Sequence, residues 1–191
     1  MSRYQELAGQ IVKEHEKVLL DVPDRDVDRF LDEICKAKCI QVYGMGRMCM
    51  AEKGFVMRLM HMGFDAHEVY STTCPNIGPG DLLIANGACT EVYSIIMRLA
   101  KKAGATVCAI TPHPDGEWGK LADFVVRLRG QMSPGAPDGE IPSIQPMGAL
   151  FEQTMLVFED IVIQLLMEKC GITAERMARK HTNLDGYMSM D

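Results

Sequence analysis

Ile40-Gln-Val-Tyr-Gly-Met-Gly-Arg-Met48 and Asp81-Leu-Leu-Ile-Ala-Asn-Gly-Ala-Cys-Thr90 decide the fold of this chain. Each is a short apolar run that breaks into a glycine-containing turn and restarts as an amphipathic helix. An α/β protein builds a ligand site in this way, at the carboxyl ends of parallel strands. Glycine lets the backbone turn sharply and come close to a ligand. The helix that follows offers unpaired N–H groups to an anion or a polar oxygen.

Outward from these stretches the alternation continues. Strands are predicted at 40–43, 66–70, 82–85, 106–110 and 124–128, and helices at about 47–62, 91–103 and 116–122. Gly63 and Gly104 stand where a helix C-terminus takes a left-handed residue. Leu82–Ala85 and Val107–Ile110 are continuously apolar, as in strands covered on both faces. A parallel sheet with right-handed crossovers follows from this order. Before it, Leu7, Ile11, Val18 and Leu19 mark a helix that Pro23 stops. Asp24 is placed to cap a second helix with Val27, Phe30, Leu31 and Ile34 on one face. Gly130–Pro146 has no apolar period and reads as a long loop. A helix over roughly Gly148–Lys169 follows, Gly171 ends it, and Thr173 caps a last short one running to about Lys180.

The 191 residues fit one domain: N-terminal helices to 37, an α/β core over 38–130, a loop over 131–147 and C-terminal helices over 148–191. A formal charge of −6 argues against nucleic acid or an anionic membrane as the main partner. No charged-then-apolar leader and no apolar run of about 18 residues is seen, which implies a cytoplasmic protein. The seven cysteines show no C-x-x-C pair, so neither a disulfide framework nor zinc is expected. His61, His67 and His113 have no recognisable ligand spacing either. The 15 methionines read as adaptable core filler.

A dinucleotide site fails at the Gly44 turn. The third glycine of G-x-G-x-x-G is Cys49, and Asp65 precedes the second strand instead of ending it. A P-loop and a nucleophile elbow are absent. Arg47 opens a helix where the dipole disfavours a cation, which points to an anion or hydroxyl contact, with a solvated arginine as the alternative. Glu152, in the first turn of an apolar helix, reads equally as a cap or as a base of raised pKa. On pattern alone His181 is an exposed helix end.

Five stretches carry a resemblance: Val42–Arg47, Met57–Phe64, Gly80–Ala85, Pro146–Glu152 and Lys180-His-Thr-Asn-Leu184. Through them the chain resembles the sugar isomerase (SIS) domain family, above all its 6-phospho-3-hexuloisomerase branch. The resemblance implies a three-layer α/β/α fold whose five-stranded parallel sheet has the order 2-1-3-4-5. It implies Glu152 as the base and His181 as a residue reaching the site from a neighbouring subunit. Gly46, Arg47, Met48, Asn86, Gly87, Ala88, Cys89 and Thr90 would then hold the substrate.

The departures from the family bear on the substrate. Met48 stands where the family has a serine. Asn86-Gly-Ala-Cys-Thr90 replaces a Ser-Gly-Ser-Gly-Glu-Thr-like phosphate loop and is about two residues shorter, with Thr90 alone clearly in place. Ser71 stands where glutamate is common. Two lost donors to a dianion, at roughly 1.5–3 kcal/mol each, would weaken phosphate binding a hundredfold or more.

The expectation is therefore a sugar isomerase, aldose–ketose or ketose–ketose, working through an enediolate with no metal or organic cofactor. A non-phosphorylated or sulfonated sugar is the alternative substrate. A non-catalytic sugar-binding module is the alternative class. The apolar helices predict a homo-oligomer, a tetramer built from dimers or a dimer, with sites shared between subunits.

Overall fold

The computed structural model describes residues 1–87, 91–137 and 139–184. Five parallel strands form one sheet: β1 Ile40–Gly44, β2 Ala66–Glu68, β3 Leu82–Asn86, β4 Thr106–Thr111 and β5 Phe124–Arg127. Their order is β2-β1-β3-β4-β5, as the resemblance implies. The helices are α1 Arg3–Leu20, α2 Asp24–Lys36, α3 Met48–Met62, α4 Ile95–Ala103, α5 Glu117–Leu121, α6 Ala149–Cys170 and α7 Ala174–Ala178.

Side chains alternate across each strand, and the two resulting sets define two cores. Ile40, Val42, Leu82, Ile84, Cys108 and Ile110 face α2, α3 and α6, where Phe30, Phe55 and Phe158 fill the space between helices and sheet. Tyr43, Leu83, Ala85, Val107 and Ala109 face the other way, under Met97 and Ala100 of α4 and Trp118 of α5. Helices α2, α3 and α6 thus lie on one side of the sheet and α4 and α5 on the other. Between β2 and β3 the chain crosses this second face without a helix, and Val69 and Ile77 pack against it.

Gly63 and Gly104 end α3 and α4 in the left-handed conformation, at φ 101° and 90°. Thr173 accepts from the Arg176 amide and caps α7, which stops at Ala178 instead of near Lys180. Asp24 does not cap α2. It is the first helical residue, and Pro23 holds the cap position in extended backbone without a side-chain bond. Pro fixes φ near the value the turn into the helix needs, so the break and the start fall one residue apart. The six described cysteines are free thiols. Among the described residues no helix is long and apolar enough to cross a membrane.

Candidate active site

The order 2-1-3-4-5 places the loops after β1 and β3 side by side at the switch point. The start of α6 reaches the same end of the sheet. There the β1–α3 loop and α6 enclose a cavity of about 230 Å³, lined by Met45, Arg47, Met48, Met132, Met147, Gly148, Phe151 and Glu152. Its size suits a compact ligand better than a drug-sized one, which takes roughly 300–1,000 Å³.

Arg47 caps α3, and its Nε lies 2.7 Å from Glu152 Oε2. The guanidinium also donates to the Met147 carbonyl. Met147 is held at φ 58°, a left-handed value that costs a side-chain-bearing residue roughly 1–3 kcal/mol. With Gly148 at φ 75°, it turns the loop so that the first turn of α6 faces the cavity. Arg47 therefore fixes both the candidate base and the carbonyl beside it. Met48 reaches across to β3, where its sulfur would lie 3.3 Å from a Cβ placed on Gly87. The methionines are not simply core filler: four line this cavity, and Met50, Met57 and Met60 lie exposed along α3.

Of the expected substrate contacts, Gly46, Arg47 and Met48 lie in the turn and first residues of α3 beside Glu152. Gly87 lies under Met48. Asn86 is fully buried, and its amide donates to Glu159 Oε1 at 3.0 Å, so the side chain turns beneath the site rather than into it. Ala88, Cys89 and Thr90 lie outside the described residues. His181 is distant within one chain. Its ring packs on His61, centroids 5.2 Å apart, and His61 follows Met48 by 13 positions, about 20 Å along α3.

Beneath the cavity lies a group the sequence reading did not single out. Glu52 and Glu159 are both buried, one on α3 and one on α6, with Asn86 at the end of β3 between them. Burial, reinforced by the Glu159 carboxyl, pushes Glu52 up to about 9. Burial raises Glu159 to about 8, against the opposing pull of the Asn86 hydrogen bond. Both carboxyls are thus neutral acids near pH 7, and each has an O–H for a neighbouring acceptor. Glu52 Oε1, Asn86 Oδ1 and Glu159 Oε2 are buried without a hydrogen-bond partner, and a carboxyl O–H is the donor that would satisfy such acceptors. Gly44 makes room for it: a Cβ there would lie 1.7 Å from Glu52 Oε1. The signal was present in the sequence. Glu52 shares its helical stripe with Phe55, Leu59 and Met62, and Glu159 shares one with Met155, Phe158, Val162 and Leu166.

A parallel α/β/α sandwich of strand order 2-1-3-4-5 is the fold of the SIS class of sugar isomerases. No protein-family model matches the chain. Individual relatives do match, over almost its whole length. It is 38% identical over 186 residues to the 3-hexulose-6-phosphate isomerase of Bacillus subtilis, covering 94% of this chain and 98% of that one. It is 32% identical to the 3-hexulose-6-phosphate isomerase of Methanocaldococcus jannaschii, covering 83% of each. A crystal structure of a Methanococcus jannaschii protein, from which a 3-hexulose-6-phosphate isomerase function was inferred, superposes with a TM-score of 0.78 at 29% identity, over 96% of this chain and 99% of that one. The chain belongs to the 3-hexulose-6-phosphate isomerase family, and it is a sugar isomerase.

Proposed function

We propose that the enzyme interconverts a 3-ketohexose 6-phosphate and the corresponding 2-ketose through a cis-enediolate, with Glu152 as the base. The observation that carries this reading is the Arg47–Glu152 pair at the edge of the cavity. Glu152 removes the proton α to the carbonyl and returns it to the neighbouring carbon, so one carboxylate serves both half-reactions. While it is bound to Arg47 its lone pair is engaged. An anionic substrate that draws the guanidinium to itself frees the carboxylate as it binds, which couples recognition to the onset of chemistry.

The second proton relay, between the two oxygens, falls to His181 of a neighbouring subunit. α3 and α6 run side by side in the same direction, Arg47 meeting Glu152 at one end and Arg58 meeting Asp160 further along. A two-fold axis across this pair would set the start of one pair against the end of the other and so carry His181 toward a neighbour's Glu152. The exposed Met50, Met57, Leu156, Val157 and Ile161 on the same face supply the apolar surface such a dimer buries.

One observation favours a second substrate. The described cavity wall offers a single cation and four methionines, which suits a sulfonated or unphosphorylated sugar as well as a phosphate. Following conversion of fructose 6-phosphate to its 3-keto isomer in deuterated water, beside a panel of free and sulfonated ketoses, separates the two readings. Solvent deuterium in the recovered sugar phosphate is the expected result. Turnover confined to the other sugars would replace it.

A further inference from the structure

At the opposite end of the sheet from the cavity, β1 and β2 gather three chemically different donors on one face. Pairing of Ile40 with Ala66 and of Gln41 with His67 puts Cys39 beside Asp65, one step earlier on the same ladder. Side chains two apart on a strand share a face, so Cys39, Asp65 and His67 converge under the helix-free crossover between β2 and β3. One sulfur, one carboxylate oxygen and one ring nitrogen lie within 4.8 Å of one another. The Asp65–His67 contact is 2.8 Å. The spacing along the chain concealed this cluster, because the donors come from two strands and are joined only by sheet register.

We propose that Cys39, Asp65 and His67 form a binding site for a divalent transition-metal ion, zinc by preference. Sulfur, imidazole and carboxylate in one set select a borderline-soft tetrahedral ion over magnesium or calcium, which take oxygen alone. Bonds of about 2.0–2.3 Å put such donors roughly 3.3–3.7 Å apart, reached here by side-chain rotation. Binding replaces the thiol proton of Cys39 by the metal and releases it to solvent.

Cys74 lies near Cys39, and its segment is tied over the same face by the Gln41 side chain donating to the Pro75 carbonyl at 2.8 Å. The bound ion would staple the edge strand β2 to β1 and hold this crossover down. The site is independent of the isomerase reading, and either can fail without the other.

The test is titration of the untagged, chelator-treated protein with zinc and with cobalt(II). One equivalent of zinc per chain, binding at or below about 10 µM, and a cobalt spectrum with a thiolate charge-transfer band are expected. Cys39→Ser removes the band, and it and His67→Gln each weaken zinc binding by about a hundredfold or more, since even supporting residues of a metal site are worth 10–100-fold. Asp65→Asn, at an exposed position that leaves the core intact, gives the same direction if Cys39→Ser misfolds. No saturable binding in this range, or a cobalt spectrum without sulfur, overturns the proposal. So does binding that survives Cys39→Ser and is lost in Cys35→Ser, because it would put the ion at the Cys35–Cys170 pair, whose sulfurs lie 3.6 Å apart.

Discussion

Glu152 and Glu159 stand two turns apart on one face of α6, about 10.5 Å along its axis, and share nothing else. Glu152 is partly exposed at a cavity rim and bonded to a guanidinium. Glu159 is sealed under the sheet's end, bonded to an amide and raised to about 8. The same side chain thus meets a guanidinium at one position and, kept as a neutral acid by burial, braces the floor at the other. Residue type did not assign these roles. Whether the nearest polar group is a cation at the solvent edge or an amide in the core did.

The contrast breaks first at activity. Glu152→Gln should lower kcat by about 10³-fold, near 4 kcal/mol in the barrier, with ligand binding largely kept. Glu159→Gln should leave kcat within about threefold. A Glu152→Gln enzyme with more than about a tenth of the wild-type kcat in a stopped-time isomerisation assay would remove that residue from its role.

It sharpens next in stability. Glu52 and Glu159 hold their protons more tightly when folded than when unfolded, where an ordinary value of 4.5 applies. Between that value and about 8 to 9 the folded state binds more protons, so stability is complete below it and falls as pH rises through the window. The loss should be on the order of a few kcal/mol. Glu52→Gln, which keeps the shape of the neutral acid, should flatten the slope in urea melts across about pH 5 to 9. Parallel wild-type and variant curves would show that the pair is not protonated. Glu152→Gln should leave the slope unchanged.

Arg47→Ala separates the two glutamates from the other side. It removes the group that fixes Glu152 and the proposed anion contact, while Glu159 is untouched. KM for an anionic substrate should rise at least tenfold, about 1.4 kcal/mol, with a smaller fall in kcat. An uncharged ketose should show no such rise. Initial-rate kinetics with both substrate types checks it.

What the sequence disclosed follows from what is local. Strands and helices came from periodicity, and the glycine ends of α3 and α4 from backbone sterics. The sheet order came from the family resemblance, as did the proposed roles of Glu152 and His181. Nothing in the spacing could join Arg47 to Glu152 across 105 positions, or Cys39 to Asp65 and His67 across two strands. Glu52 and Glu159 were legible in principle, as acids on apolar stripes, but only the structure shows that they meet. The loop at Ala88–Thr90, where the phosphate contacts were expected to change, lies outside the described residues.

Met48 offers the smallest and most discriminating change. It stands at the first position of α3, lines the cavity beside Arg47, and covers Gly87 at the end of β3. A serine there would withdraw the thioether, open the path between the two loops and add a hydroxyl at a helix N-terminus. A hydrogen bond to a charged group contributes roughly 1.5–3 kcal/mol, but the lost apolar cover, at about 25 cal/mol per Å², offsets much of it. The net should be about a threefold fall in KM for the sugar phosphate, near 0.7 kcal/mol, with kcat unchanged because Glu152 is not moved. If the natural substrate lacks the phosphate, Met48 instead packs against its carbon chain. Met48→Ser should then raise KM for that sugar by a similar factor. The sign of the change, read with both substrates on one enzyme, tells which of them the methionine was selected to meet.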